Sequence, residues 1–198
     1  LVELSRGIPE LKMFIQISTD EVYGDIARGT SFEEDSLLPS SYYSAAKAAA
    51  DMLVISAGRT YGFPYLITRT CNNFGVDQDK EKFIPKLIDC IKNDKKFPLY
   101  GNGDQVREWI WVEDNVTEIW KLMNEGVSGV KNIGSRDRWE NIELIQLVSK
   151  ILNKEVKFKH VADRLGHDRR YALRSDNPIT MTIEQFLIDY FSTDGQEN

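Results

Sequence analysis

An α/β fold with a parallel sheet is predicted by two observations. Short apolar or β-branched runs alternate with longer amphipathic stretches along the whole of the 198-residue chain. The first run, Met13-Phe14-Ile15-Gln16-Ile17, leads directly into Ser18-Thr19-Asp20-Glu21, so hydroxyls and carboxylates follow a buried-looking strand. Open α/β sheets bind ligands at that carboxyl edge.

The elements follow in order. Leu1 to Gly7 reads as the end of a helix closing at a glycine. After the strand over 13–17, the polar segment Asp25 to Ser41 reads as an active-site loop ending at a helix cap, Ser40 or Ser41. An Ala-rich helix is predicted from Tyr42 to Thr60, stopped by Gly62 and Pro64. Tyr65 to Thr68 is strand, and Asn72 to Lys80 is loop. Phe83, Ile84, Leu87, Ile88 and Ile91 recur at helical spacing within a helix over Lys82 to Asn93. A strand at Phe97 to Tyr100, a Gly101-Asn102-Gly103 turn and a strand over Val106 to Val112 come next. Asp114 or Asn115 caps a helix running to Met123. Val130 to Ile133 and Val156 to Phe158 read as strands, flanking a helix over Ile142 to Leu152. A last helix is expected over Ile179 to Phe191, with a frayed tail over Ser192 to Asn198.

Composition narrows the function. With 41% hydrophobic residues the chain can bury a sizeable core. Its net charge of -6 argues against a nucleic-acid partner, and no apolar run reaches membrane-spanning length. Cys71 and Cys90 have no metal-site spacing, and two cysteines fit a reducing cytoplasm. No metal is expected.

Chemistry concentrates at two stretches. Thr19, Asp20 and Glu21 emerge from the strand end, while Tyr43 and Lys47 sit at i and i+4 on one helix face. An ammonium beside a phenol favours the phenolate, a usable base near neutral pH. The small residues around the pair let the helix approach the sheet closely.

Tyr-x-x-x-Lys after a strand ending in Ser/Thr resembles the extended short-chain dehydrogenase/reductases. Ser18-Thr19-Asp20-Glu21-Val22-Tyr23-Gly24 is similar to the nucleoside-diphosphate-glucose 4,6-dehydratases, those acting on dTDP-glucose above all. The similarity continues through Arg69 to Gly75, Glu81 to Pro85, Leu99 to Trp109, Asn132 to Gly134 and Ala162 to Tyr171. It implies the C-terminal part of a doubly wound Rossmann-like parallel sheet over 1–75, then a smaller mixed α/β substrate-binding domain over 76–198. The strand near 130–134 is a candidate to return to the first sheet. NAD is the implied cofactor, touched by Tyr43, Lys47 and Asn72. A nucleotide sugar is the implied substrate, held by Thr19, Asn73, Lys82, Phe83, Leu99, Tyr100, Arg107, Asn132, Asp163, Arg164 and His167. For Arg107 the plainer reading is an ion pair with Glu108 or Asp104; His160 reads as structural.

The implied reaction oxidises C4 with Tyr43 as base, Lys47 lowering its pKa and Thr19 bonded to O4. Glu21 then takes the C5 proton while Asp20 protonates the departing C6 hydroxyl. An epimerase-like enzyme and a UDP-sugar dehydratase remain alternatives, the Asp20-Glu21 pair favouring a dehydratase. No Gly-rich dinucleotide turn precedes Met13, so the resemblance places roughly the first three strands outside these residues. A non-catalytic binding module that cannot hold NAD is therefore a third reading. Leu165 stands where the resemblance has Pro, and Trp111 where it has Tyr. Ser175-Asp176-Asn177-Pro178 runs straight toward the last helix where a further helix is usual, so altered packing is expected at that end. The parent enzyme is expected to be a homodimer.

Overall fold

β1 (Phe14–Thr19) is half-buried over Phe14 to Gln16, exposed at Ile17 and buried at its carboxyl end, Ser18 and Thr19. In the computed structural model, which describes residues 1–194, β1 pairs in parallel with β2 (Tyr65–Thr70), and β2 with β6 (Gly129–Ile133). A short α1 (Val2–Arg6) precedes them; its closing Gly7 stays right-handed (φ -77°), not in the left-handed cap form.

The connection from β1 to β2 runs through α2 (Tyr42–Tyr61). Ser41 is its cap: the Ser41 hydroxyl accepts from the Ser44 amide at 3.1 Å, and Ser44 Oγ accepts from the Ser41 amide. Gly62 ends the helix at φ +64°. A Cβ on Gly58 would lie 2.3 Å from the Tyr65 ring, so glycine there permits close helix–strand packing.

A second sheet has the order β3 (Asn72–Phe74), β5 (Val106–Trp111), β7 (Arg138–Glu140), with β7 antiparallel to β5. A two-stranded parallel sheet joins β4 (Phe97–Tyr100) to β8 (Phe158–Val161). Helices α3 (Phe83–Lys92), α4 (Val112–Asn124), α5 (Asn141–Ile151) and α6 (Ile183–Asp194) complete the order. Pro85 falls in the first turn of α3, where a missing amide is tolerated. One buried cluster gathers Val22, Leu66, Ile110 and Ile133 near the first sheet. The larger one gathers Phe74, Leu87, Trp109, Leu144, Val148, Ile183 and Leu187.

The structure corrects several sequence expectations. Asn72–Phe74, read as loop, is a strand because it finds β5 as a parallel partner. β7 was not anticipated; three half-buried residues carry too little pattern. β8 starts at Phe158, later than expected, since its register is set by β4, while Val156 is buried in the larger core. Neither Asp114 nor Asn115 caps α4, which begins at Val112. The Asp114 carboxylate instead accepts from the Thr180 amide and hydroxyl at 2.8 and 2.6 Å, and Asn115 donates to Asn73 Oδ1. α6 begins at 183, not 179. Asp114 ties down Thr180, and Asp137 Oδ2 accepts from the Ile183 amide at 2.7 Å. Ile183 and Leu187 are fully buried, so the short 175–182 connection still docks the helix. Of the expected tail, 192–194 continue α6 and 195–198 lie outside the described residues.

Candidate active site

A single turn of 3-10 helix, Asp20–Tyr23, follows β1. Thr19, still extended, accepts from the Glu21 amide at 3.3 Å, and its hydroxyl donates to Asp20 Oδ1 at 3.2 Å. Asp20 is 2% exposed, and its Oδ2 has no partner. Burial, then the charge of Glu21, pushes its carboxyl up to about 8, against the opposing pull of Arg107. Glu21 is raised too, first by burial, but Arg107, Arg164 and Lys82 pull it back. Two adjacent carboxyls thus sit in different environments.

α2 brings Tyr43 and Lys47 alongside. The Lys47 ammonium donates to the Ile17 carbonyl at 2.5 Å, fastening the helix to β1. The expected lowering of the Tyr43 pKa is reversed: the phenol is raised by burial, then by Glu21 and Asp20. Two nearby carboxylates oppose formation of a third anion.

Two adjoining clefts open here. The first, about 880 Å³, is lined by Ser18, Thr19, Glu21, Tyr43, Lys47, Asn72, Asn73 and Gln78 among others. The second, about 1060 Å³, is lined by Leu99, Tyr100, Arg107, Asn141, Arg164 and His167. Asn72, Lys82, Phe83 and Trp109 line both and form the seam. Gln78 Oε1 and Trp109 Nε1 are buried without partners.

Arg107 makes neither expected ion pair. Its guanidinium donates to the carbonyls of Val106 (2.9 Å), Asp168 (2.8 Å) and Arg169 (3.3 Å), stacked 4.4 Å over the Tyr171 ring. Glu108 pairs with Arg138, and Asp104 with Arg169. Arg107 is thus a 7%-exposed cation with no carboxylate within ion-pair distance among the described residues, at the wall of a cleft. That environment favours an anion.

Three expected residues line neither cleft: Asn132, Asp163 and the buried Asp20. Asn132 lines neither cleft: its Oδ1 accepts from Tyr23 Oη at 2.8 Å and its Nδ2 donates to the Ser31 carbonyl, so its polar atoms are spent on packing. Asp163 is not a lining residue; it accepts from His167, Gln105 Nε2 and the Arg164 amide. The 25–41 loop contributes no lining residue and is zipped to 170–174 through Ser31, Asp25 and Arg170. His160 Nδ1 bonds the Gly101 carbonyl, consistent with a structural residue.

The sequence reading missed Gln78, Lys86 and Asn141. The i, i+4 spacing of Lys82 and Lys86 could have revealed the second lysine. Asn141 depends on β7, which carried no pattern. Missed as well was the buried ion pair of Arg69 with Asp51 (3.0 Å), whose guanidinium also donates to Tyr23 Oη at 2.8 Å.

The architecture and the paired clefts define the class: a Rossmann-like α/β protein with a Tyr/Lys and double-carboxyl centre at a strand end. Comparison makes it specific. Residues 1–134 match the model of the NAD dependent epimerase/dehydratase family. The chain belongs to that family. It is 48% identical over 166 residues to a low-salt glycan biosynthesis protein of Haloferax volcanii, covering 83% of this chain and 54% of that one. It is 40% identical over 182 residues to the dTDP-glucose 4,6-dehydratase of Shigella flexneri, covering 82% and 50%. A crystal structure of the Bacillus anthracis dTDP-glucose 4,6-dehydratase in complex with NAD superposes with TM-score 0.90 at 36% identity, covering 99% and 66%. The chain therefore spans about half the length of the curated relatives it matches. Among the described residues no helix is long and apolar enough to cross a membrane.

Proposed function

We propose that these residues carry the catalytic and substrate-binding half of an NAD-dependent nucleoside-diphosphate-glucose 4,6-dehydratase, with dTDP-glucose as substrate. The observation that carries this is Asp20: a buried carboxyl pushed up to about 8, beside a second carboxyl, also raised by burial, whose rise three cations oppose. An epimerase needs only to exchange hydrogen at C4. A dehydratase needs in addition an acid for the C6 hydroxyl and a base for the C5 proton, and this pair divides those roles.

In this reading residues 1–75 with β6 form the nucleotide-binding side and the remainder mainly the substrate side. The first cleft suits the nicotinamide end of the cofactor, with the orphaned Gln78 Oε1 as an acceptor beside Tyr43, Lys47 and Asn72. Bound NAD+ would supply the hydride acceptor for C4, the hydride donor for C6, and a positive ring beside the phenol.

Tyr43 takes the C4 hydroxyl proton while Thr19 bonds O4 and Lys47 holds α2 against β1. The raised phenol must first be relieved of the carboxylate charge, which a protonated Asp20 partly does. Glu21 removes the C5 proton, and Asp20 gives its proton to the leaving C6 hydroxyl. Arg107 and Arg164, with Lys82, face the diphosphate. The exposed Tyr42, Met52 and Leu53 along α2 favour the homodimer. The relatives support the same chemistry in name and fold.

The test is incubation of the full-length protein with NAD+ and dTDP-glucose. A 4-keto-6-deoxy sugar nucleotide is expected without net accumulation of NADH; a C4 epimer alone would make the protein an epimerase.

A further inference from the structure

The loop from 163 to 169 carries a relay of side-chain hydrogen bonds that the reaction chemistry does not require. His167 Nδ1 lies 2.6 Å from Asp163 Oδ1, and Arg164 Nη2 lies 3.0 Å from His167 Nε2. Arginine can only donate. His167 Nε2 must therefore accept, which leaves the imidazole neutral with its hydrogen on Nδ1, donated to Asp163. Asp163 is itself fixed, its Oδ2 accepting from Gln105 Nε2 at 2.9 Å and its Oδ1 from the Arg164 amide. Asn141, a wall residue of the second cleft, donates to Gln105 Oε1 at 3.4 Å, so the relay begins and ends at that cleft.

Arg164 is exposed and has no carboxylate within ion-pair distance among the described residues; besides His167, the Tyr100 ring lies 5.0 Å beneath its guanidinium. The His167 ring meets the same Tyr100 edge-on. A long, solvent-facing arginine loses much rotamer freedom when it is fixed. Holding it in advance lowers that cost at the moment of binding. The charge of Arg164 also acts on Glu21, which puts it within electrostatic reach of the carboxyl centre. Gly166, at φ +69°, has the Ser40 carbonyl 2.6 Å from where a Cβ would stand, so the loop is seated against the residue preceding the cap of α2.

We infer that His167 is a positioning residue: with Asp163 behind it, it aims the Arg164 guanidinium into the second cleft, and its contribution to ligand binding passes through Arg164. The inference rests on the anionic-ligand reading of that cleft. It assigns different tasks to three neighbouring residues, with Arg164 touching the ligand while His167 and Asp163 hold Arg164.

The test uses the full-length protein, with thymidine diphosphate as binding probe and dTDP-glucose for kinetics. His167→Leu should raise the probe's Kd and the KM about tenfold, the size of one charge-assisted hydrogen bond, with kcat within about twofold. His167→Gln, whose amide oxygen can still accept from Arg164, should recover most of the loss. Arg164→Ala and the Arg164→Ala/His167→Leu double variant should bind alike, because one pathway is removed once. Additive losses, failure of His167→Gln to rescue, or a fall in kcat with KM unchanged would overturn the inference. A structural readout needs no ligand: nitrogen-15 imidazole spectra, with the His167 signals assigned by their loss in His167→Gln, should show His167 protonated at Nδ1 and bare at Nε2. The opposite tautomer overturns it. If the unsubstituted protein bound no nucleoside diphosphate, the dehydratase reading would fall together with this one; unaltered binding in the His167 variants would remove this one alone.

Discussion

Asp20 and Glu108 are two equally hidden carboxyls on neighbouring parts of the molecule, 2% and 0% exposed. Glu108, in β5, is saturated. Its Oε1 accepts from the amides of Ser135 (2.8 Å) and Arg136 (3.0 Å), and its Oε2 from Arg138 Nε (2.7 Å) and the Leu173 amide (3.1 Å). Those four donors come from two separate stretches, 135–138 and Leu173, so one side chain ties β5 to the turn that leads into β7 and to the 170–174 segment. Asp20 has one long bond from Thr19, an orphaned oxygen, and the like charges of Glu21 and Glu108 nearby, which Arg107 only partly opposes. The difference separates a carboxylate that builds the fold from a carboxyl left unsatisfied, the one proposed to serve as the acid. Burial alone does not tell them apart; the count of donors does.

Breaking the saturated side should have the largest effect. Glu108→Ala leaves four donors and the Arg138 charge unmatched, and stability should fall by about 3–5 kcal/mol, the cost of removing one partner from a buried ionic network. The midpoint of urea unfolding measures it. A loss below about 1 kcal/mol would mean that the donors find water and that Glu108 is not the tie described.

The unsatisfied side should respond in rate. In the full-length protein, Tyr43→Phe, Glu21→Gln and Asp20→Asn should each lower turnover by about 10² to 10⁴, the usual contribution of an acid–base group. Their signatures differ. Tyr43→Phe should slow reduction of NAD+; Glu21→Gln should let NADH build up in a single turnover without C5 exchange; Asp20→Asn should exchange C5 deuterium while failing to lose the C6 hydroxyl. Stopped-flow absorbance with deuterium incorporation resolves the three. Normal C5 exchange in Glu21→Gln with none in Asp20→Asn would exchange the two assignments.

Gly134→Ala probes the saturated side more gently. Its Cβ would stand 2.2 Å from Glu108 Oε1, so the carboxylate must shift off its amides. About 1–3 kcal/mol of destabilisation is expected by thermal or urea unfolding, in line with overpacking elsewhere.

A pH dependence separates the two carboxyls as well. Between the ordinary aspartate value of 3.8 and about 8, folded Asp20 holds a proton that the unfolded chain has released. The folded state binds more protons there, so this group's contribution to stability falls as pH rises through that window. Asp20→Asn removes the dependence. The melting temperature of Asp20→Asn minus that of the unsubstituted protein should widen, in the stabilising direction, from pH 4 to pH 8. A constant difference would place the Asp20 pKa near its ordinary value and weaken its role as acid.

Much of the molecule was legible in order of residues. Apolar or β-branched runs marked β1, β2 and β4, and composition or period-3.6 spacing marked α2, α3 and α5, within a few residues; β2 is buried on both faces, while α3 and α5 each bury one. The Thr19-Asp20-Glu21 and Tyr43/Lys47 stretches announced themselves, since a strand end and an i, i+4 helix face bring those groups to one edge by local geometry alone. β3 and β7 did not, since three-residue strands draw their stability from partners distant in sequence. The caps of α4 and α6 were misjudged for the same reason. Asp114 satisfied Thr180, 66 residues away, in preference to its own helix, and the first turn of α6 was set by Asp137.

What the sequence determined by itself, then, is the α/β class, the identity of the chemical groups and their arrival at a common sheet edge. Tertiary structure alone decided how those groups are tuned. It left Arg107 among carbonyls and not carboxylates, turned Asn132 inward while bringing Asn141 to the cleft, and set Lys47 on the Ile17 carbonyl, leaving the Tyr43 phenol raised. Each of these outcomes is a choice among hydrogen-bond partners far apart in the chain, made by which buried donors and acceptors must be satisfied once the layers close.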